Sequence, residues 1–148
     1  MKFVCDDCHQ MLLKSEEHRQ RFFAQAIDRA RRLVSTRQYD SALLYYGNAL
    51  DAADIALDKT APEQNDIDHY IRTGMEMLFA LRKAGFFSDL APFIEQAERR
   101  LKQLSTVDNV GWLVRPLKDI AEHPICVVEF WLSSLLSSVH QPRPAVLH

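Results

Sequence analysis

Between Ser15 and Leu104 the apolar residues recur at spacings of three and four, a period that fits one face of an α-helix and no strand. The first stripe, Phe22, Phe23, Ala26, Ile27, Ala30, Leu33 and Val34, follows Ser15, a good N-cap, with Glu16 and Glu17 where the helix dipole favours negative charge. A break over Ser35–Gln38 leads to a second stripe, Ala42, Leu43, Tyr46, Ala49, Leu50, Ala53, Ala56 and Leu57, so two antiparallel helices are expected. Only 4 Gly and 6 Pro punctuate the 148 residues, so little breaks these patterns. The expected fold is all-α, with about six antiparallel helices stacked as hairpins in one domain.

The remaining helices follow the same logic. A proline-bearing turn at 60–66 leads to a third helix from about Ile67 to Lys83, ended by Gly85. A fourth opens near Ser88, with Pro92 early enough to be tolerated, and its seam is Phe87, Leu90, Ile94, Ala97, Leu101 and Leu104. A fifth is either kinked at Pro116 or starts there. The sixth begins at Pro124 and has only Glu129, Ser133, Ser137 and His140 as a polar stripe, so most of its sides should be covered by the fold or by a second subunit. The expected organisation is an N-terminal segment to residue 14, helix pairs over 15–60, 64–104 and 106–140, and a tail over 141–148.

The first two pairs also resemble each other. Ala30, Leu33, Tyr39, Ala42, Leu43, Tyr46, Ala49 and Leu50, moved by 48, give Leu78, Leu81, Phe87, Leu90, Ala91, Ile94, Ala97 and Glu98, of which only the last is not apolar. The small-and-aromatic pattern resembles the tetratricopeptide (TPR) repeat. It departs from that family in having a period 14 residues above the usual length of about 34, roughly four helical turns. The closing proline is also absent at Asp54. The resemblance implies a right-handed TPR-like superhelix, with a plain helical bundle as the alternative. It also implies a groove lined by the first helix of each pair, where Ile27, Arg31 and Val34 would meet Arg72, Met75, Phe79, Arg82 and Lys83. Guanidinium groups beside soft apolar surface would suit a peptide or protein partner carrying carboxylates and apolar anchors.

Other chemistry finds little support. Cys5-Asp6-Asp7-Cys8-His9 has C-x-x-C spacing, yet a structural zinc site needs four ligands and the third cysteine, Cys126, lies far along the chain. A small metal- or redox-responsive regulator using Cys5, Cys8 and His9 is therefore the alternative function, and no cofactor is expected. The six histidines form no metal-hydrolase spacing, and neither a nucleophile elbow nor a phosphate loop is present, so the chain reads as a non-enzyme. Lys14–Arg37 carries seven bases against three acids, while Asp40–Asp68 carries seven acids against one base. A net charge of −2 argues against nucleic acid as the partner.

The N-terminal ten residues carry charges where a signal peptide needs an apolar run, and no stretch is long enough to span a membrane, so a cytoplasmic protein is expected. The leading expectation is an interaction module or adaptor that presents a helical groove to a partner. A homodimer joined through Trp112, Trp131 and Leu135 is a further expectation, motivated by the nearly all-apolar last helix.

Overall fold

The computed structural model describes residues 3–59, 62–104 and 107–140, the last six by backbone alone. All regular structure among them is helical: α1 (Asp6–Lys14), α2 (Glu16–Ser35), α3 (Tyr39–Ala56), α4 (Gln64–Ala84), α5 (Leu90–Lys102), α6 (Val110–Glu122) and α7 (Ile125–His140). No helix is long and apolar enough to cross a membrane among the described residues. The tail over 141–148 lies outside them.

The helix ends follow from local chemistry. The Ser15 hydroxyl accepts from the His18 N–H at 3.1 Å and starts α2, and the Asp66 carboxylate accepts from the Glu63 N–H at 3.0 Å at the start of α4. Lys59 then ties the two starts together, 3.1 Å from Glu16 and 3.3 Å from Asp66. Pro116 lies six residues inside α6 rather than at its start, which settles one of the two alternatives left open by the sequence. Phe87 also departs from expectation. It opens a short 3-10 turn, Phe87–Asp89, and is 65% exposed, whereas the rest of its seam, from Leu90 to Leu104, is buried.

The 48-residue correspondence reaches the backbone. Glu16 begins α2 and Gln64 begins α4; Tyr39 begins α3 and Phe87 begins the 3-10 turn. Both α2 and α4 close on a left-handed residue, Arg37 at φ 60° and Gly85 at φ 87°. The closing hydrogen bonds match as well, with Gln38 N–H to Leu33 O (2.8 Å) and Arg37 N–H to Val34 O (3.0 Å) answered by Phe86 N–H to Leu81 O (2.9 Å) and Gly85 N–H to Arg82 O (3.1 Å). Ala42, Tyr46 and Ala49 are buried, and so are their counterparts Leu90, Ile94 and Ala97.

In the packed core, α3 lies against both α2 and α4, and α6 against both α4 and α5. Gly74 permits the latter approach, since a Cβ there would stand 3.1 Å from Leu117 and 3.5 Å from Phe93. Tyr46, Ala49 and Leu50 of α3 share one buried cluster with Ala26, Ile27 and Ala30 of α2. Arg100 fastens α5 to the end of α3 through Asp54 at 2.6 Å and Asp58 at 2.5 Å.

The N-terminal segment, to which the sequence pattern assigns no element, contains α1. Its anchors are specific: Phe3 and Val4 donate backbone N–H groups to Asp51, while Val4 and Leu12 pack with Ile55 and Phe22. The Phe3 ring rests on Gly47, where a Cβ would intrude into it.

Candidate functional site

The arginines expected to line one groove are divided by the fold between two anchors. Arg31 reaches from α2 to α4 and donates to both oxygens of Glu76, each at 2.9 Å. The Tyr46 hydroxyl donates to the same carboxylate at 3.1 Å, and Arg72 Nε stands 3.8 Å from it. Glu76 is only 2% exposed, so a buried acid is neutralised by one guanidinium that is mostly buried and a second nearer solvent. Burial opposes the charge on Arg31, but the bidentate carboxylate outweighs it and raises its pKa above the ordinary value.

Arg82 is held by a different partner, the end of α6. One guanidinium nitrogen donates to Ile120 O at 2.7 Å and His123 O at 2.6 Å, satisfying carbonyls at the C-terminus of α6. Met75 is half-buried against the core, and Phe79 is buried with its ring 6.0 Å from Tyr39 in an edge-on contact. Lys83 is paired with Glu129 of α7 at 2.5 Å and sits 5.5 Å from the centre of the Tyr39 ring.

Two hollows remain on this side, and Arg31 borders both. The first, of about 590 Å³, runs between α2 and α4 over a floor of Ile27, Ala52 and Ala53, with Phe23 stacked on His69 at 5.2 Å along its wall. The second, of about 690 Å³, lies where the C-terminal ends of α2 and α4 approach α7. Its apolar surface comes from Val34, Tyr39, Phe79 and Leu132, and its charges are Arg31, Arg37 and Lys83 against Glu129. Four of the expected groove residues, Arg31, Val34, Phe79 and Lys83, therefore meet here. Arg37, Tyr39, Leu132 and Glu129 are additions that the repeat register did not supply. For one of them a signal existed in the sequence, since Arg37 stands 48 residues before Gly85.

Burial also raises the pKa of Tyr46 and of Tyr70, with the negative charge of Glu76 adding to it for Tyr46 and that of Asp54 for Tyr70. A phenol held protonated in the fold but free to ionise near pH 10 when unfolded keeps its full stabilising contribution below that pH and loses it as the pH rises. The melting temperature is thus expected to fall steadily above about pH 10. Tyr46→Phe with Tyr70→Phe should flatten that fall, and an unchanged alkaline slope in the double variant would contradict the assignment.

Elsewhere, Cys5, Cys8 and Cys126 are exposed free thiols. His9 follows Cys8 directly, but no group of three metal-ligating side chains converges among the described residues. Of the residues expected at a dimer interface, Trp112 is 75% exposed and Trp131 packs edge-on against His123 at 5.1 Å, while the Leu135 side chain lies outside the described residues. No protein-family model matches the chain, and neither the curated proteins nor the solved structures yield a match.

Proposed function

We propose that this protein is a non-enzymatic interaction module, a TPR-like adaptor whose hollow between α2, α4 and α7 receives a partner segment carrying carboxylates beside a large apolar residue. The observation that carries the reading is the meeting of Arg31, Arg37 and Lys83 around Val34, Tyr39, Phe79 and Leu132. Arg31 and Lys83 are already engaged by Glu76 and Glu129, whereas the Arg37 guanidinium has no partner among the described residues. Its backbone supports the same reading. A left-handed conformation costs a residue with a Cβ about 1–2 kcal/mol, and the corresponding position in the second helix pair is Gly85. Backbone strain of this kind concentrates at functional sites, which supports a use for the Arg37 side chain.

An array of short peptides varied in acidic and apolar content tests this. Retained peptides should combine Asp or Glu with an aromatic or large aliphatic residue, and added salt should weaken them. Arg37→Gly should hold or raise stability by up to about 1 kcal/mol, the relief of strain being partly offset by added chain entropy in the unfolded state. It should nevertheless weaken the retained peptides by about tenfold or more, the worth of one charge-assisted hydrogen bond. Selection of basic peptides, or full binding by Arg37→Gly, would contradict the reading.

A second reading, association of two copies, is favoured by Trp112 and by Phe130, which is 71% exposed. The solution mass should then be twice 17.1 kDa and revert to the single-chain value in Trp112→Glu. A concentration-independent single-chain mass for the unaltered protein would exclude it.

A further inference from the structure

The N-terminal segment presents a pair of cysteines on a fixed support. Cys5 is the N-cap of α1, and its Sγ accepts the Cys8 backbone N–H at 3.4 Å. Both thiols are exposed, so an incoming sulfur compound can reach them. What lies beneath is anchored on both sides, because the preceding Val4 donates its N–H to Asp51 at 2.8 Å and Leu12, two turns along α1, is buried. The first turn is regular, with His9 N–H bonded to Cys5 O at 2.9 Å. N-cap and third helical residue lie one turn apart, a separation that a disulfide spans without rearranging the backbone.

We propose that Cys5 and Cys8 form a thiol–disulfide exchange site, with Cys5 as the attacking thiolate, Cys8 as the resolving thiol and a low-molecular-weight disulfide as the oxidant. In the first step the Cys5 thiolate attacks one sulfur of the small disulfide. A Cys5 mixed disulfide forms, the small S–S bond breaks, and one small thiolate leaves. In the second step Cys8 gives its proton to solvent and attacks Cys5 Sγ, closing the Cys5–Cys8 bond and releasing the second small thiolate. The protein dithiol is oxidised by two electrons, and the small disulfide is reduced to two thiols.

The order of attack follows from the local fields. The Cys8 backbone N–H, followed by the Cys8 thiol, donates to Cys5 and holds its pKa below the ordinary thiol value. The Cys8 thiol, as donor to Cys5 and facing its negative charge, holds its own proton more firmly, so its pKa is raised. A thiolate stabilised at a helix N-terminus, next to a thiol that keeps its proton, separates the two roles.

The test uses the full reduced chain and oxidised glutathione, quenched with acid and mapped by peptide mass. The unaltered chain should end with a Cys5–Cys8 bond, two hydrogens lighter. Cys8→Ser should stop at a glutathione adduct on Cys5, and Cys5→Ser should react more slowly. Near neutral pH, alkylation of the reduced chain should be roughly threefold or more faster at Cys5 than at Cys8 for each pKa unit between them, greater thiolate fraction being partly offset by lower nucleophilicity. Stable adducts on both cysteines without closure, cross-linking through Cys126 instead, or faster alkylation of Cys8 would each overturn the proposal. Because both positions are exposed, Cys5→Ser and Cys8→Ser are expected to fold. The outcome is also independent of Arg37 and of peptide binding.

Discussion

Ala49→Glu is expected to cost about 3–5 kcal/mol, the penalty of an unpaired charge in a packed interior, and to lower the melting temperature by roughly 10–20 °C. Ala49 has no exposed surface and lies on the face of α3 that joins α2 in the core. A carboxylate there is closed off from water, so either α2 must lift away or the acid must protonate. Both routes weaken the fold. Chemical denaturation of the two proteins checks this, and an unchanged midpoint would mean that α2 and α3 do not pair along the stripe containing Ala49.

Glu76→Ala is the second large effect, also about 3–5 kcal/mol, because it strands Arg31, whose side chain is only 13% exposed, together with the buried Tyr46 hydroxyl. The penalty belongs to the charge left behind rather than to the ion pair. The double variant Arg31→Met with Glu76→Leu, which replaces both partners by apolar groups, should therefore recover most of the loss. Equilibrium unfolding of the unaltered, single and double variants forms the measurement. A Glu76→Ala protein within about 0.5 kcal/mol of the unaltered one would place Glu76 at an ordinary surface position.

The legible part of the fold was the part in which one apolar face repeats. The stripes of α2 and α3 and the seam of α5 emerged because long amphipathic helices must bury a continuous face. The offset of 48 emerged because two helix pairs do so in the same way. The polar segment DDCHQMLLK gave no such signal for α1, which buries Leu12 alone and leaves Met11 and Leu13 in solvent. Its position depends on Asp51 and Gly47, partners more than thirty residues away that no local pattern reveals.

The candidate site was legible only in part for a related reason. Residues 72, 75, 79 and 82 share one side of α4, and period alone groups them. It does not say that an acid at position 76 will draw Arg31 and Arg72 together, or that the α6 carbonyls will capture Arg82. Arg31 and the α6 carbonyls come from neighbouring elements, whereas Glu76 stands four residues beyond Arg72 on α4 itself. Lys83, by contrast, was identified from the register, but its meeting with Glu129 and Tyr39 depends on where α7 and the α2–α3 turn arrive.

Whether the hollow at the ends of α2 and α4 receives the partner is read from backbone amide signals recorded while a peptide retained from the array is titrated. The signals that move should belong to Val34, Ser35, Arg37 and Tyr39, to Phe79 and Lys83, and to Leu132 and Ser133, and Arg37→Gly should shift the titration to about tenfold or more higher peptide concentration. Movement confined to Phe23, Ala52 and His69, or to Trp112 and Phe130, would place the partner on another surface and contradict the proposed site.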